Sequence, residues 1–492
     1  MPYSLTDQSS KGQPFMSHVL AYDLGGSSLR LAIVDDAGDF LASVRKPLKI
    51  SSDGRASFET DPADWWAAIR AGCADLISQG ADLTKVTAIA GCGFTRSQVF
   101  LDADNAVLRP AITFQDSRAA ALLDELREDP ALQPLIAGLG PYDPLARLLW
   151  VRAHEPETWA RLRRVLEPKD YLTLMLTGEA ASDSISQTPM TRILAANEGI
   201  LGQLDIDADI LPLTLSPFAE VGRVLPDLPA PLTRLAGVPV YNGSIDTWAC
   251  VLGSGALTPG VAYSISGTSD VSGVIASTRH SAVGLLTVDW GPNIWQLGGP
   301  SQGAATRLNW ALDRFFPRAA RHTALASALG TRRPVPLFLP YLDGERTPFW
   351  DAELRGAFLG LGSAHDGPDF LRAVAEGMNY LSRDILDRAE TAIGTPVSHV
   401  CFSGGLATTP ALCQLKADVL NRPVLVPKNH ETGLMGAARL AQGRTCGCQP
   451  PASRRYDPDP LRRAYHDERF ALFRQASEAL RPLSHALARQ DG

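Results

Sequence analysis

The chain has 492 residues, of which 45% are apolar and 20% are charged, a composition typical of a folded globular protein with two or three domains. Its 46 basic and 53 acidic residues give a formal net charge of −7, which argues against nonspecific binding to nucleic acid or to a membrane through a basic surface. The sequence contains no run of 18 apolar residues, so it predicts no membrane span. Seven cysteines in so long a chain are typical of a reducing compartment. We therefore expect a cytoplasmic enzyme.

The first predicted structural element follows a polar segment at the start of the chain. Residues 1–17 lack the apolar core of a signal peptide, so we predict a flexible tail there. An apolar run from His18 to Asp23 leads into Gly25-Gly26-Ser27-Ser28, and a second apolar run covers Leu29 to Asp35. Two apolar segments separated by a glycine-rich turn predict a β-hairpin.

Strands and helices alternate through the rest of the first half. A helix is predicted to begin with Thr60 as its N-cap and to end at Gly80. Residues 203–236 are rich in leucine and proline and are predicted to be irregular. The other predicted elements are strands at 86–91, 111–114 and 238–242, and helices at 117–128, 145–153, 169–177 and directly after residue 245.

An internal repeat connects the two halves of the chain. Residues 262–269, Ala-Tyr-Ser-Ile-Ser-Gly-Thr-Ser, follow the pattern of residues 21–28, Ala-Tyr-Asp-Leu-Gly-Gly-Ser-Ser, about half a chain earlier. Such self-similarity indicates two related domains, each opening with a strand, a turn of glycine and small hydroxyls, and a second strand.

The second half repeats the alternation of strands and helices. This pattern predicts the α/β class in both halves. The predicted elements are an extended piece at 335–341, a long helix at 369–392, a strand at 400–402, a turn at 403–405, and helices from 409, at 431–441 and at 459–489.

The two glycine-rich turns are candidate phosphate sites. Neither a GxxxxGK[ST] loop nor a complete GxGxxG turn occurs. Backbone N–H groups converge in a tight glycine turn, and serine or threonine hydroxyls add donors. Asp23 precedes the first turn, where its carboxylate is suited to Mg²⁺. Either turn alone is ordinary hairpin chemistry, but two in matching register favour a site for a triphosphate.

Two further segments carry candidate functional groups. Asp246 follows a strand at the start of a predicted helix, so it is either a general base towards a substrate hydroxyl or simply a helix N-cap. Ser403-Gly404-Gly405 lies between a strand and a helix, where glycine lets a flat ligand such as a purine approach the backbone.

A competing enzyme hypothesis comes from Gly299-Pro300-Ser301-Gln302-Gly303. The segment matches GxSxG, follows an apolar run and precedes a helix, which is the context of a hydrolase nucleophile elbow. In that hypothesis Ser301 is the nucleophile, with Asp343 and His430 as its partners.

Taken in order, the motifs resemble the FGGY family of carbohydrate kinases. Residues 22–28 resemble its first phosphate motif, with Gly26 in place of the usual threonine, and residues 266–269 resemble its second. Gly243 to Asp246 is similar to the G-x-x-D segment that supplies the catalytic base. The other similar segments are 93–102 for the sugar, 112–118 (W-x-D-x-R, with Phe114 for the tryptophan), 168–178 (P-K-D-Y-L and L-T-G), 341–351 with Gly-Glu-Arg-Thr-Pro, and 403–405 with 433–438 for adenosine.

The resemblance implies an α/β fold of two actin-like (ribonuclease H-like) ATPase domains around a central cleft. We expect a sugar-binding N-terminal domain at 18–256, which includes the catalytic base, and an ATP-binding C-terminal domain at 257–492. Asp246 would be the base, Asp23 a second catalytic group and the Mg²⁺ ligand, and Mg²⁺ and ATP the cofactors. The implied sugar contacts are Thr95, Arg96, Gln115, Asp116 and Asp246; the implied nucleotide contacts are Gly25, Gly26, Ser27, Ser28, Arg30, Gly267, Thr268, Ser269, Gln302, Gly404, Gly405 and Thr408.

The sugar itself is less clearly indicated. Where xylulokinases usually carry Met-His and glycerol kinases Arg-Glu, this chain has Thr95-Arg96. Gly344 to Pro348 favours xylulose-like ketoses or gluconate over glycerol, so we expect a ketopentose such as D-xylulose. The charge of Arg96 suits a polyol or a sugar acid such as gluconate, unless a nearby carboxylate pairs with it. Ribulose, erythritol and glycerol stay open, as do a non-catalytic ATP-binding protein and a possible homodimer.

Overall fold

The computed structural model describes residues 18–318, 320–330, 333–443 and 453–490. The predicted tail at 1–17 lies outside these residues. The described chain forms two compact units. The first contains residues 18–184, 189–243 and 440–443, and the second contains residues 185–188, 244–439 and 453–490.

The first unit is a mixed sheet covered by helices. Its strands are β1 (His18–Leu24), β2 (Ser28–Val34), β3 (Phe40–Pro47), β4 (Ser51–Ser52), β5 (Phe58–Thr60), β6 (Val86–Gly93), β7 (Val99–Leu101), β8 (Ala111–Ile112), β9 (Arg164–Leu166), β10 (Ala181–Asp183), β11 (Leu213–Leu215), β12 (Glu220–Arg223) and β13 (Pro239–Ile245). Its helices are α1 (Pro62–Ser78), α2 (Ala120–Arg127), α3 (Gln133–Ile136), α4 (Pro144–His154), α5 (Pro156–Arg161), α6 (Pro168–Thr177), α7 (Thr188–Ala196) and α8 (Ile200–Gln203). The main sheet has the order β12-β13-β6-β1-β2-β3.

The second unit is built in the same way. Its strands are β14 (Ala262–Ser266), β15 (Asp270–Ala276), β16 (Leu286–Asp289), β17 (Trp295–Pro300), β18 (Leu337–Leu339), β19 (Ala357–Leu359), β20 (Val400–Ser403), β21 (Val424–Pro427) and β22 (Ser453–Tyr456). Its helices are α9 (Asp246–Ser254), α10 (Ala305–Phe315), α11 (Arg321–Gly330), α12 (Gly367–Ile393), α13 (Pro410–Leu420), α14 (Thr432–Ala441) and α15 (Pro460–Ala488). The main sheet has the order β16-β17-β15-β14-β20-β21-β22. None of the described helices is long and apolar enough to cross a membrane.

The internal repeat is visible in the strand pairing. β1 pairs antiparallel with β2 and parallel with β6, and β14 pairs antiparallel with β15 and parallel with β20. In each hairpin three residues separate the strands, Gly25 to Ser27 in the first and Gly267 to Ser269 in the second. The predicted α/β class and both predicted hairpins are confirmed.

Most helix ends follow the predicted signals. α12 begins with a capping box of Asp366 and Asp369 and ends before the left-handed Gly394. The predicted N-cap at Thr60 is wrong. Asp61 caps α1, because its carboxylate accepts the amide of Ala63 at 2.9 Å while Thr60 still belongs to β5. Residues 203–236 also contain β11, β12 and two short 3-10 helices.

The sheet of the first unit has one tight contact with no room for a side chain. A Cβ on Gly91 of β6 would lie 1.9 Å from the ring of Tyr22 on β1, and both residues are buried. The phenol of Tyr22 also reaches α6, where its hydroxyl lies 3.4 Å from the carbonyl oxygen of Lys169. The absence of a side chain at Gly91 therefore lets the Tyr22 ring pack directly against the backbone of the neighbouring strand.

We predict that Gly91→Ala destabilises the first unit by about 2–3 kcal/mol, because the added methyl forces Tyr22 out of a close-packed position. The midpoint of urea unfolding measures the change. Gly138→Ala is the matched control, since a Cβ at Gly138 meets nothing within 4 Å. Equal midpoints for the two variants would contradict the prediction.

Candidate active site

The first glycine turn, between β1 and β2, presents unused backbone donors. The amide of Gly25 donates to the carbonyl of Ser28 at 3.0 Å. The amides of Gly26 and Ser27 donate to no acceptor in the part of the chain that the structure describes. Adjacent N–H groups at the tip of a turn form a concave site suited to an anion such as phosphate.

Asp23 lies at the base of this turn. It stands opposite Arg30 in the hairpin, and the Arg30 guanidinium donates to its Oδ2 at 3.0 Å. The thiol of Cys92, on β6, lies 3.6 Å from its Oδ1. The Asp23 side chain is only 10% exposed. The turn thus combines free amides with a carboxylate whose orientation Arg30 fixes.

The second glycine turn repeats the free amides. Gly267 donates to the carbonyl of Ser269 at 2.9 Å, whereas the amides of Thr268 and Ser269 have no acceptor among the described residues. The carbonyl of Thr268 accepts the amide of Ala304 at 2.9 Å and the hydroxyl of Thr306 at 3.2 Å. The residues at the start of α10 therefore fix the Thr268 carbonyl and with it the peptide groups of the turn.

A buried charge that the sequence did not indicate lies under the second turn. The Asp270 carboxylate accepts hydrogen bonds from four serine hydroxyls, those of Ser264, Ser266, Ser272 and Ser382. Burial would raise the pKa of Asp270, but the charge of Lys416 and the serine hydroxyls outweigh it and hold the pKa below its usual value. Lys416 is itself buried, and its ammonium donates to the Asn379 side chain at 3.1 Å. The ionised Asp270 side chain thus fixes the position of the first residue of β15, which directly follows the second glycine turn.

In the first unit, Thr95 to Ser97 form a loop held by one buried carboxylate. Glu167 accepts the hydroxyl of Thr95 at 3.3 Å and the amides of Arg96 and Ser97 at 3.2 Å each. Burial and the neighbouring charge of Asp170 raise the pKa of Glu167 to about 8. Glu167 directly precedes the predicted Pro168–Leu172 signature, and that adjacency is the one sequence signal that pointed towards it.

Arg96 is the exposed residue of this loop. Its φ is 57°, in the left-handed region that side chains rarely adopt. The buried Arg147 donates to its carbonyl oxygen, so the backbone is held from both sides. Its guanidinium makes no hydrogen bond and no ion pair with any described residue. The carboxylate neighbour that the sequence left open is therefore not observed, and a cationic side chain is presented to solvent.

Gln115 and Asp116 have different environments. Gln115 is exposed, whereas Asp116 is wholly buried and accepts the amide of Phe58 at 2.7 Å and the guanidinium of Arg118 at 2.7 Å. The Asp116 carboxylate is satisfied within the protein. The assignment of Asp116 to the sugar site stays a prediction. Its hydrogen bonds favour a supporting role, in which Asp116 holds the loop after β8 and does not touch the sugar.

Asp246 is the first residue of α9. The alternative that it is the N-cap is wrong, because Ile245 occupies that position and makes no side-chain capping bond. The amide and hydroxyl of Thr247 donate to Asp246 Oδ1 at 2.5 and 3.1 Å. The carboxylate is half-buried and is oriented by its own neighbour.

The end of β13, just before Asp246, is fixed by a backbone contact and a buried cation. Gly243 has φ 74°, and a Cβ there would lie 1.8 Å from the carbonyl oxygen of Gly91. Lys169 donates to the carbonyl of Asn242 at 3.3 Å and forms ion pairs with Asp170 and Asp183. The G-x-x-D segment therefore begins at a position that only glycine fits.

The predicted purine segment lies beside the second turn. A Cβ on Gly404 would lie 2.5 Å from the carbonyl oxygen of Ser266, the last residue of β14. Gly405 begins a 3-10 helix with nothing within 4 Å of its Cβ position, and the hydroxyl of exposed Thr408 donates to its carbonyl at 2.8 Å. The segment leaves open space next to exposed backbone.

Ser301 does not have the environment of a hydrolase nucleophile. It is buried, its hydroxyl donates to the carbonyl of Gly303, and it accepts the amide of Asp270, both at 3.3 Å. Asp343 and His430 form no hydrogen bond with it within the described ranges. Its hydroxyl holds a loop, so the structure contradicts the hydrolase hypothesis. The backbone amide of the neighbouring Gln302 donates a hydrogen bond to the Glu345 carboxylate at 2.6 Å.

Both halves of the chain match one protein family. Residues 18–253 match the FGGY family of carbohydrate kinases, N-terminal domain, and residues 262–442 match the C-terminal domain of that family. A xylulose kinase of Escherichia coli (strain K12) is 31% identical, over 94% of this chain and 99% of its own. A gluconokinase of Bacillus licheniformis is 24% identical, over 86% and 87%.

A solved structure agrees with the sequence relatives. A protein of Brucella ovis described as a "xyloylose kinase" superposes with a TM-score of 0.82 at 29% identity, covering 96% of this chain and all of that one. Because the two family domains match in order across most of the sequence, the chain belongs to the FGGY family of carbohydrate kinases, and it is a sugar phosphotransferase with the two-domain actin-like α/β fold of that family.

Proposed function

We propose that this FGGY kinase transfers the γ-phosphate of ATP to a hydroxyl of a small ketopentose such as D-xylulose. The observation that carries the proposal is Asp246, a half-buried carboxylate that directly follows the last residue of β13 and is oriented by Thr247. A carboxylate so placed accepts the proton of the attacking hydroxyl. Relatives named xylulose kinase support the ketopentose.

In this proposal the two parts of the chain divide the work. Residues 18–256 bind the sugar and supply the base, with Thr95, Arg96 and Gln115 as direct contacts and Asp116 as support. Residues 257–492 bind the nucleotide, with the amides at Gly267 to Ser269 on its phosphates and Gln302 nearby. Gly404, Gly405 and Thr408 border the adenosine, and the first turn, Gly25 to Ser28, adds donors to the phosphates.

We also propose Mg²⁺ as the partner of the nucleotide. Within the described ranges no three His, Cys, Asp or Glu side chains converge on a metal site. This fits Mg²⁺, which keeps several waters and binds through substrate phosphates and one or two carboxylates. Asp23 is the carboxylate that suits it, by way of a water, since Arg30 already occupies one oxygen. The ion would neutralise phosphate charge while Arg30 keeps Asp23 oriented.

A second candidate substrate is a sugar acid such as gluconate, and one observation favours it. The Arg96 guanidinium is exposed and makes no ion pair with the described residues, while its backbone is held in a left-handed conformation by Glu167 and Arg147. An unpaired guanidinium can bind a carboxylate through two parallel hydrogen bonds.

We further propose that the protein works in a reducing cytoplasm, since seven cysteines in 492 residues are few for a protein of an oxidising compartment. A homodimer stays a proposal, which sedimentation of the purified protein tests directly.

The kinase reaction is tested by ADP release with Mg–ATP against D-xylulose, L-xylulose, D-ribulose, L-ribulose, glycerol, erythritol and gluconate. We expect strongest turnover with D-xylulose. Asp246→Asn should lower kcat by about 10²- to 10⁴-fold, because the general base is lost. Asp313→Asn, at an exposed position of α10, is the control. Full activity of Asp246→Asn would rule out its role as the base.

The sugar-acid candidate is tested at Arg96. If a carboxylate binds there, Arg96→Gln should lower kcat/KM for gluconate about 10- to 100-fold, since a charge-assisted hydrogen bond is lost, and should change kcat/KM for D-xylulose much less. Arg96→Lys keeps the charge and should keep part of the gluconate activity. Equal losses on both sugars would reject selectivity for an acid.

The Glu167 carboxyl makes stability depend on pH. Its pKa is raised from 4.5 to about 8 in the folded state, so between these values the folded protein holds a proton that the unfolded chain has released. The free energy of unfolding therefore falls as the pH rises through this window, by at most about 1.4 kcal/mol per pH unit. Glu167→Gln should flatten this slope in urea titrations between pH 5 and 8. Parallel slopes would contradict the raised pKa.

A further inference from the structure

The segment Glu345 to Thr347 makes a continuous set of contacts with the loop that follows β17. The Glu345 carboxylate accepts the amide of Gln302 at 2.6 Å. The Arg346 guanidinium donates to the carbonyl of Ser301, and the amide of Thr347 donates to the carbonyl of Pro300 at 3.1 Å. Three consecutive residues of one segment thus bind three consecutive residues of the other, in opposite order.

Glu345 is the centre of these contacts. Its side chain is fully buried and forms an ion pair with Arg307 of α10 at 2.6 Å, while its other oxygen accepts the amides of Gln302 and Arg346. Arg307 in turn donates to the carbonyl of Gly303 at 2.8 Å. A buried ion pair seldom adds stability over an apolar pair of the same size, but one carboxylate here satisfies donors from three separate segments. This geometry fits a group that fixes position.

The loop held by Glu345 is the support of the second glycine turn. Ser301 and Asp270 exchange hydrogen bonds, since the amide of Ser301 donates to the carbonyl of Asp270 at 2.8 Å and the amide of Asp270 donates to the Ser301 hydroxyl. The amides of Ala304 and Ala305 donate to the carbonyls of Thr268 and Gly267 at 2.9 and 3.2 Å. Any shift of the loop therefore moves the peptide groups of the turn.

We propose that Glu345 is a positioning residue for nucleotide binding: through the loop Pro300 to Ala304 it fixes the direction of the free amides of Thr268 and Ser269. The inference rests on the proposed function, in which those amides bind the phosphates of ATP. Glu345 touches no substrate in this scheme and acts only through the loop. It supplies a physical reason for the Gly-Glu-Arg-Thr-Pro segment, which the sugar chemistry alone does not explain.

The test compares Glu345→Gln with Glu376→Gln. Glu376 is an equally buried carboxylate in the same unit, paired with Arg372 at 2.9 Å, and within the described residues it makes no hydrogen bond or ion pair with the loop. We expect Glu345→Gln to raise the KM for Mg–ATP, and the Kd for Mg–ADP measured by calorimetry, about 10- to 100-fold. The KM for the sugar and the values for Glu376→Gln should stay within about 3-fold of wild type.

Thermal unfolding checks that the variants are folded. If Glu345→Gln does not fold, Arg346→Ala removes the contact with Ser301 and leaves the buried ion pair; it should raise the Kd for Mg–ADP about 3- to 10-fold. Unchanged nucleotide affinity in a folded Glu345 or Arg346 variant, or an equal loss in Glu376→Gln, would overturn the inference. Failure of the wild type itself to bind Mg–ADP would instead overturn the proposed function.

Discussion

The contact between Gly243 and Gly91 is the constraint that fixes the segment leading into Asp246. Two neighbouring strands of the first sheet approach so closely that a methyl group on Gly243 would overlap the carbonyl oxygen of Gly91. Lys169 adds a hydrogen bond to the carbonyl just before this contact and is itself neutralised by Asp170 and Asp183. The last part of β13 is therefore held by packing and by charge, and Asp246 follows Gly243 after two residues. In the proposed reaction, a base held in this way needs little reorganisation when the sugar binds.

The two hairpins hold their glycine turns in place with different side chains. Each presents two unused amides at its tip, yet the first turn is backed by the ion pair of Asp23 and Arg30, whereas the second is backed by the buried Asp270 and its serine hydroxyls. The repeat thus preserves the strand pairing and the turn, while the groups that stabilise the turn have diverged. In both cases a carboxylate near the tip accepts donors from the protein, which keeps the free N–H groups available for an anion.

Local patterns in the sequence were sufficient for the fold class, for both hairpins and for the long helix α12. The predicted span 369–392 lies within α12, Gly367–Ile393. The buried roles of Glu167, Arg147 and Asp270 were not predicted, because the partners of a buried charge are distant in sequence and no local periodicity marks them. Glu345 was marked only as part of the Gly-Glu-Arg-Thr-Pro segment, without its role as a buried acceptor. The GxSxG match was misleading for the same reason: Ser301 is a loop support whose partner, Asp270, lies 31 residues away. The N-cap of α1 was misplaced by one residue because two adjacent residues have capping chemistry, and only the end of β5 distinguishes them.

In the proposed sugar site, the left-handed backbone of Arg96 limits which side chains can occupy that position. Unbranched side chains, asparagine and glycine accept that conformation at modest cost, whereas valine, isoleucine and threonine are strongly disfavoured in it. Exchanges at this position are therefore restricted to a subset of the amino acids, whatever sugar is selected. A library aimed at new acceptors would gain more from randomising the neighbours of Arg96 than from placing every residue type at position 96 itself.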